Sequence, residues 1–326
     1  MGEYSKSGWW AWSTKKKVLV IGSIGFIIVA LGVGLGAGLG LGLKGGDDDN
    51  DNGNGGSGPD TTTPTTNTTT PTNTTVKWQP AVGTKWQIIL LKSEETSQIA
   101  TSVDAPIYDI DLFDNSKAVI SDLQGMGRKV ICYFSAGSFE DWRDDASKFQ
   151  DADKGSDLDG WPGEKWLNLK SANVRKIMQA RLDVAVAKGC DGVDPDNIDG
   201  YDNTNGLGLT KTDAINYVNW LAGQAHSRGL SIGLKNSGDI IDSVIHNMQW
   251  CVNEQCAEYD ECDTYAAFIE ADKPVFHIEY PKGDTTNNNK AVSTTEVNSA
   301  CISNGAGNFS TVIKNMDLDT WVEYCP

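Results

Sequence analysis

Short apolar runs alternate with amphipathic stretches throughout residues 77–326. Eight runs have the length and composition of strands, at 85–90, 107–113, 129–135, 192–196, 231–237, 249–254, 275–280 and 310–315. Apolar positions with a helical period lie between and after them, at 115–125, 171–188, 211–228, 238–247, 262–272, 294–303 and 317–324. This alternation predicts a closed (β/α)8 barrel of the TIM type. No glycine-rich phosphate loop follows a strand, which disfavours the alternative of an open doubly wound sheet.

The longest apolar stretch is residues 18–43, which contain no charged side chain. As a helix they would span about 39 Å, enough for a hydrocarbon core of roughly 30 Å. Lysines 15–17 precede the stretch and aspartates 47–49 follow it, so the positive-inside rule places residues 1–17 in the cytosol. A cleaved signal peptide is the alternative, although its apolar region is usually about 7–15 residues. We therefore predict a single-pass type II signal anchor.

Residues 44–76 have the composition of a linker. Gly, Asp and Asn dominate its first half and Thr, Pro and Asn its second, without an apolar period, so we expect it to be disordered. Thr/Pro-rich tracts are typical of O-glycosylated stalks outside the cell. Asn67 and Asn73 begin N-glycosylation sequons, as does Asn308 within the folded domain 77–326. An unmodified flexible spacer is the alternative.

The charge balance excludes several classes of protein. The chain has 27 basic and 44 acidic residues, and its net charge of −17 argues against nucleic acid as a partner. The three histidines are scattered and no C-x-x-C pair exists, so we predict no metal and no other cofactor. The Asp-rich segment 190–203 fails the EF-hand pattern, because counting back from Gly200 puts Pro195 at the first ligand position. A cation site of another type stays an alternative.

Polar side chains gather where the predicted strands end, which is where a β/α barrel carries its active site. They are carboxylates, aromatics and amides: Asp109, Asp111, Tyr133, Trp142, Asp194, Asp196, Lys235, Asn253, Glu254, Glu279 and Tyr280. Paired carboxylates with aromatic walls are typical of glycosidases, which need one acid to protonate the leaving oxygen and a second to attack or activate water. A single strand-end Asp more often caps a helix or forms a salt bridge. Because so many of these polar residues lie at one end of the predicted barrel, we favour an active site there over separate structural roles.

Several motifs resemble glycoside hydrolase family 114, the endo-α-1,4-polygalactosaminidases. They are DGVDPDNIDGY (191–201), NEQCAEYDEC (253–262), KPVFHIEY (273–280), CYFSAGSFEDWR (132–143) and WPGEKWLNL (161–169). The resemblance covers essentially all of 77–326 and implies a TIM barrel that cleaves internal α-1,4 linkages in galactosamine-containing polysaccharide. The chain is similar to membrane-anchored fungal members that act on galactosaminogalactan. The implied location is the plasma membrane, with the domain facing the cell wall.

The resemblance also implies the roles of two acids. Retaining α-glycosidases on related barrels carry the nucleophile after strand four and the acid/base after strand six, which correspond here to Asp196 and Glu254. Asp194 is the alternative nucleophile, but Asp196 lies nearer the end of its strand. The residues expected to contact substrate are Asp109, Asp111, Tyr133, Trp142, Asp194, Tyr201, Lys235, Asn253, Glu279 and Tyr280. The acidic ones would attract cationic galactosamine, whereas Lys235 and Lys314 would contact hydroxyls or keep a carboxylate ionised.

The seven cysteines fit an extracellular domain, although their spacing does not fix the connectivity. The favoured pairs are Cys256 with Cys262, Cys301 with Cys325, and Cys132 with Cys190, which leaves Cys251 free and buried. We expect a monomer. Alternative functions are a lectin without activity, an adhesin that uses the barrel as a scaffold, and an α-galactosidase or transglycosylase.

Overall fold

A computed structural model of the protein describes residues 78–91, 99 and 103–326. The predicted cytosolic tail, signal anchor and linker (1–76) lie outside the described residues, as do Asn67 and Asn73. Over the part of the chain that is described, no helix has the length and apolar character needed to cross a bilayer.

The described residues form a main sheet, a small second sheet and surrounding helices. The strands are β1 (Trp86–Ile89), β2 (Ile107–Asp111), β3 (Lys129–Ser135), β4 (Ser138–Glu140), β5 (Lys154–Asp157), β6 (Glu164–Leu167), β7 (Gly192–Asp196), β8 (Ser231–Lys235), β9 (Trp250–Glu254), β10 (Val275–Glu279), β11 (Ser310–Lys314) and β12 (Val322–Tyr324). The helices are α1 (Lys117–Gly125), α2 (Ala172–Lys188), α3 (Lys211–Ser227), α4 (Ile241–Val244), α5 (Ala266–Glu270) and α6 (Thr294–Cys301). Single 3-10 turns extend α4 at both ends (Gly238–Ile240 and Ile245–Asn247) and precede α5 (Cys262–Tyr265).

The main sheet is a nearly closed barrel. Its parallel strands follow the order β1-β2-β3-β7-β8-β9-β10-β11, which returns β11 to the side of β1. The Trp86 indole donates to the Ser310 carbonyl (2.7 Å) across this seam, and the buried Lys314 ammonium donates to Gln87 Oε1 (3.0 Å). These eight strands are the eight that the sequence pattern predicts. Lys314 joins β11 to β1 rather than pairing with a carboxylate.

The prediction of a helix at 317–324 is wrong, because the strand β12 forms within this range instead. β12 runs antiparallel to β11, with Val312 opposite Tyr324. The Tyr324 hydroxyl donates to the Trp86 carbonyl of β1 (2.8 Å), so β12 also contacts the other side of the seam. A strand provides partners for the backbone N–H and C=O groups at the exposed edge of β11. A weakly amphipathic helix of eight residues could not do this.

The barrel interior changes from apolar to polar along β2 and β3. On β2, Ile107 precedes Asp109, and on β3, Ile131 precedes Tyr133, with both apolar side chains in one buried cluster. Alternate residues of a strand share a face, so the same alternation puts the apolar residues in the floor and the polar ones towards the carboxyl ends. Trp250 belongs to the floor cluster.

Two glycines make room for Trp250. A Cβ at Gly233 would come within 2.0 Å of Trp250 Nε1, and one at Gly192 within 2.5 Å of Cη2. The indole therefore occupies the space that side chains on β7 and β8 would need, and any substitution at either glycine would displace it.

The small sheet, β4-β6-β5, was not predicted from the sequence. It is inserted between β3 and α2, and therefore belongs to the carboxyl-terminal side of the barrel. Buried Arg143 connects it to β2, since its guanidinium binds Glu140 (2.8 Å) and Asp111 (2.7 Å). Arg181 on α2 binds Asp145 (2.9 Å). Its strands have three or four residues and little alternation of apolar and polar positions, so no local sequence pattern predicted them.

Local capping explains where several helices begin and end. The Ser171 hydroxyl accepts from backbone amides in the first turn of α2, and Gly189 ends this helix with a left-handed φ of 93°. Reciprocal capping boxes start α3, from Thr210, and α6, from Ser293. Each of these helices matches its predicted range at one end and differs from it by one or two residues at the other.

The three favoured disulfides are present. Their Cα–Cα distances are 6.0 Å for Cys132–Cys190, 4.8 Å for Cys256–Cys262 and 5.6 Å for Cys301–Cys325, and Cys251 is free and buried as expected. The last bridge ties α6 to the segment after β12. The second closes the loop that follows β9.

Candidate active site

Three charged residues end three consecutive strands of the barrel. They are Asp196 on β7, Lys235 on β8 and Glu254 on β9. Lys235 Nζ lies 3.2 Å from Asp196 Oδ1 and 2.8 Å from Glu254 Oε2. Because these two legs are 3.2 Å and 2.8 Å long, the two oxygens are at most 6.0 Å apart. Lys235 thus makes one of its two expected contacts, the one with a carboxylate.

The backbone turns sharply after each of these residues. Asn197, Asn236 and Gln255 all have left-handed φ angles, of 60°, 47° and 63°. Non-glycine residues adopt this region at a cost, and such conformations cluster at functional sites. The strained turns end the three strands at one level and direct the chain away from the carboxylates.

Both oxygens of Asp196 accept hydrogen bonds. The Tyr133 hydroxyl donates to Oδ2 (2.8 Å) and the backbone N–H of Asn197 donates to Oδ1 (2.8 Å). Burial and the Asp196 charge raise the pKa of Tyr133 well above its ordinary value, so this hydroxyl stays a donor. These donors, with Lys235, hold the Asp196 carboxyl group in position.

Both oxygens of Glu254 also accept hydrogen bonds. The Tyr280 hydroxyl donates to Oε1 (2.6 Å), and Asn236 Nδ2 donates to Oε2 (3.2 Å). Burial by itself would raise the pKa of Glu254, but the Lys235 charge and the hydrogen bonds from Lys235, Tyr280 and Asn236 outweigh it and lower the pKa. Burial would likewise lower the pKa of Lys235, and the two carboxylates raise it well above its usual value instead. The resting site is therefore an ammonium between two carboxylates.

Solvent exposure differs between Asp196 and Asp194, the two candidate nucleophiles. The Asp196 side chain is 16% exposed and that of Glu254 is 25% exposed. Asp194 is fully buried, and so is Asp109, with both carboxyls below the level of Asp196. Solvent access therefore distinguishes Asp196 from the alternative nucleophile Asp194 and from Asp109, which was expected to contact substrate.

Three other predicted contacts are buried with partners inside the protein. Asp111 accepts from two backbone amides and from Arg143. Glu279 accepts from the Ala257 amide (2.8 Å), and Asn253 is 1% exposed. The sequence pattern finds strand-end polar residues but cannot tell which of them stabilise the barrel, because this depends on partners such as Arg143 that are distant in the sequence.

The remaining predicted contacts lie nearer the surface. The Tyr201 hydroxyl donates to Asp239, and its ring is partly exposed. Trp142 follows β4 and is 50% exposed, and its ring lies so close to Gly163 that a Cβ there would come within 3.1 Å of Cζ3. Trp161, which is also 50% exposed, stands two residues before Gly163. These two tryptophans belong to the small sheet and its turn.

The sequence analysis missed a hydrogen-bond chain behind Asp196. Asn197 Nδ2 donates to Ser135 Oγ (3.0 Å) and Ser138 Oγ (3.2 Å), and Ser138 donates to Glu164 Oε2 (2.6 Å). Burial raises the pKa of Glu164 to about 8. The small sheet is thereby connected to the residue that follows Asp196. The motif 161–169 contains Glu164, but nothing in its pattern indicated this contact.

Asn308 is exposed in the turn before β11, so its sequon is accessible to solvent.

Two carboxylates within 6.0 Å at the mouth of a β/α barrel, both bonded to tyrosine hydroxyls, are an arrangement suited to a glycoside hydrolase. The sequence profile of glycoside-hydrolase family GH114 matches residues 67–326. The chain belongs to this family, as its motifs predicted.

Solved structures agree with this assignment. The crystal structure of Aspergillus fumigatus Ega3 in complex with galactosamine is 67% identical, with a TM-score of 0.74, and the match covers 77% of this chain and 98% of that chain. The glycoside hydrolase domain of PelA from Pseudomonas aeruginosa is 12% identical with a TM-score of 0.55, over 74% of this chain and 98% of that chain. The second likeness concerns the fold alone. No curated protein sequence matches the chain significantly.

Proposed function

We propose that this glycoside hydrolase cleaves internal α-1,4 linkages of galactosamine in a galactosaminogalactan-type polysaccharide, with retention of configuration. The observation that carries the proposal is the separation of Asp196 and Glu254, at most 6.0 Å between the oxygens that bind Lys235. Retaining enzymes hold their two carboxyls roughly 5–5.5 Å apart, whereas inverting enzymes need roughly 6.5–9.5 Å to admit water. The identity to Ega3, which binds galactosamine in its crystal structure, supports the choice of sugar.

The reaction proceeds in two displacements. Asp196 attacks the anomeric carbon while Glu254 gives a proton to the departing glycosidic oxygen, so the C–O bond breaks and a glycosyl ester of Asp196 forms. Glu254 then takes a proton from water, the water oxygen attacks the same carbon, and Asp196 leaves as a carboxylate. Tyr133 and Tyr280 keep the two carboxyls in place throughout.

The resting charge state sets a condition on this mechanism. Glu254 must carry a proton to act as the acid, yet Lys235 and its hydrogen bonds lower the pKa of Glu254. Only a small fraction of the enzyme is correctly protonated near neutrality. Glu254 therefore becomes the acid when substrate displaces Lys235 from it, because the Lys235 charge is the main cause of the lowered pKa.

Charge and exposed aromatics favour a cationic sugar polymer. The domain 77–326 contains 22 basic and 38 acidic residues, and unacetylated galactosamine is cationic near neutral pH. A negative surface steers such a polymer to the site, and salt screens this attraction. The half-exposed rings of Trp142 and Trp161 offer faces on which sugars stack. Activity on deacetylated polymer consequently falls as salt rises.

The same proposal places the enzyme at the plasma membrane as a monomer, with the barrel outside the cell facing the wall. The uncharged stretch 18–43, the lysines before it and the linker 44–76 support this arrangement. Three disulfides in the described residues are consistent with an oxidising compartment.

The test is to incubate the protein with galactosaminogalactan and follow new reducing ends, oligomer lengths and the anomer first released. A retaining endo-enzyme gives medium-length oligomers early, with the α-anomer first. A lectin binds the polymer and produces no reducing ends, and an α-galactosidase releases single galactose units. Either of the last two results, or release of the β-anomer first, would contradict the proposal.

A further inference from the structure

Two carboxyl groups lie buried directly below the candidate site. Asp109 on β2 and Asp194 on β7 are fully buried on either side of β3, and both side chains point into the barrel. None of their four oxygens is bonded to a donor of any other described residue. The two carboxyls are within hydrogen-bonding reach of each other. Each is therefore the other's partner.

This contact requires a proton. Two ionised carboxylates are both acceptors only, so they cannot form a hydrogen bond with each other. Two adjacent buried negative charges would also repel each other strongly in the low-dielectric interior. A single proton removes both problems, because one carboxylic acid then donates to one carboxylate.

We propose that Asp109 and Asp194 share one buried proton, carried by Asp109, and that the remaining negative charge on Asp194 stabilises the cationic transition state in the site above. The stabilisation of the transition state by Asp194 rests on the proposed function. Burial and the Asp194 charge raise the pKa of Asp109 well above its usual value. Burial also raises the pKa of Asp194, to about 7, while Lys235 opposes this rise, so the proton lies on Asp109 and Asp194 is ionised above about pH 7.

The charged groups around the pair explain why its charge matters. Lys235 from β8, Asp196 from β7 and Glu254 from β9 act on Asp194 through their charges, whereas the Cys251 thiol of β9 lies in the apolar cluster on the other face of its strand. Lys235 contacts Asp196 and Glu254, and no described donor, Lys235 included, is bonded to either oxygen of Asp194. The cluster then carries three negative charges against one ammonium.

An excess of negative charge has its largest effect when the sugar becomes positive. The transition state of glycoside cleavage resembles an oxocarbenium ion, while the intact linkage carries no charge at the anomeric carbon. A fixed charge held in a dry interior favours the transition state over the ground state without reorganisation. Asp194 acts by this electrostatic effect and does not touch the substrate, so it is a positioning and tuning residue.

A double-mutant cycle tests the shared charge. In Asp109→Asn or in Asp194→Asn, the new amide donates to the remaining carboxylate, so the pair keeps one hydrogen bond and one negative charge. We expect each single variant of the full chain to lose less than about 10-fold in kcat/KM on polymer. The double variant removes the charge and should lose at least about 10²-fold, the scale of losing one preorganised electrostatic group. A double variant no worse than the singles would overturn the electrostatic effect.

Infrared difference spectroscopy tests the proton without using activity. The wild-type protein should show the carbonyl stretch of a protonated carboxylic acid near neutral pH, and each single variant should lose the band that belongs to this pair. A band that is absent in the wild type, or unchanged in both variants, would overturn the shared proton. A wild-type protein that shows the band and cleaves no polymer would refute the proposed function while supporting the acid pair.

Discussion

Asp196 and Glu254 share one ammonium group, that of Lys235, although β8 separates the strands that carry them. Three consecutive strands therefore each place one charged group at the same level of the barrel. The lysine lies between the two carboxyl groups and lowers the pKa of Glu254. Its charge must consequently affect both the geometry and the pH dependence of catalysis.

The roles of the two acids can be assigned by chemical rescue. Asp196→Ala and Glu254→Ala should each reduce polymer cleavage by about 10²–10⁴-fold, because each removes a group that acts in the transition state. With an activated α-galactosaminide and added azide, Glu254→Ala should form the glycosyl azide with retained configuration. Asp196→Ala should form the azide with inverted configuration, since azide then replaces the nucleophile. Product anomers are read by NMR.

Exposed carboxylates nearby provide matched controls for this assignment. Glu258 and Asp202 lie in the loops after Glu254 and Asp196 and are exposed. Glu258→Ala and Asp202→Ala should cleave polymer at close to the wild-type rate. An inverted azide from Glu254→Ala would mean that the two roles are exchanged.

Removal of Lys235 should move the pH profile. Lys235 lowers the pKa of Glu254, so without it burial raises that pKa. The decline of kcat/KM with rising pH, which follows loss of the Glu254 proton, should shift to higher pH in Lys235→Met. Absolute activity should fall, because the carboxylates lose their common partner. Lys176→Met, at an exposed position on α2, is the control, and an unmoved alkaline limb in Lys235→Met would contradict this account.

Glu164 should make the protein less stable as pH rises. Burial raises the pKa of Glu164 from 4.5 to about 8 in the folded state. An acid with a raised folded pKa contributes stability that is complete below its unfolded pKa and is lost as pH rises through the folded pKa. The loss between about pH 4.5 and 8 has an upper bound of about 5 kcal/mol.

Urea denaturation at pH 5 and pH 8 measures this effect. Glu164→Gln retains an acceptor for the Ser138 hydroxyl but cannot ionise, so the free energy of unfolding should change less between the two pH values than in the wild type. Glu258→Gln, which alters an exposed carboxyl, should behave like the wild type. Equal pH dependence in Glu164→Gln and the wild type would show that Glu164 is not responsible.

Trp142 should affect binding of long chains more than the chemical step. Its exposed ring is placed to stack on a sugar unit, and an aromatic stacking contact is worth about 0.5–1.5 kcal/mol. Trp142→Ala should therefore raise KM for polymer about 3- to 10-fold, with a smaller effect on a short activated substrate. Ile302→Ala truncates another exposed apolar side chain and serves as the control. Equal losses on long and short substrates would argue against a remote sugar contact.

The strand pattern was predictable because it is local. Each of the eight runs is bounded by polar or turn residues, and a parallel barrel aligns their carboxyl ends. The placement of Asp196 and Glu254 at one mouth follows from that rule together with the family motifs. The small sheet was not predictable, because strands as short as Ser138–Glu140 carry no period of their own.

The sequence by itself determined the eight strands, their polar ends and the family, because these depend on spacing, composition and motifs along the chain. Asp194 and Asp196 have the same parity on β7, so only depth in the barrel separates a buried acid from one that solvent reaches. The bridging by Lys235, the support from Asn197 and Asn236, and the strand β12 in place of a helix were likewise decided by the tertiary structure. They depend on contacts between residues distant in the sequence, which form only when the sheet curves back on itself.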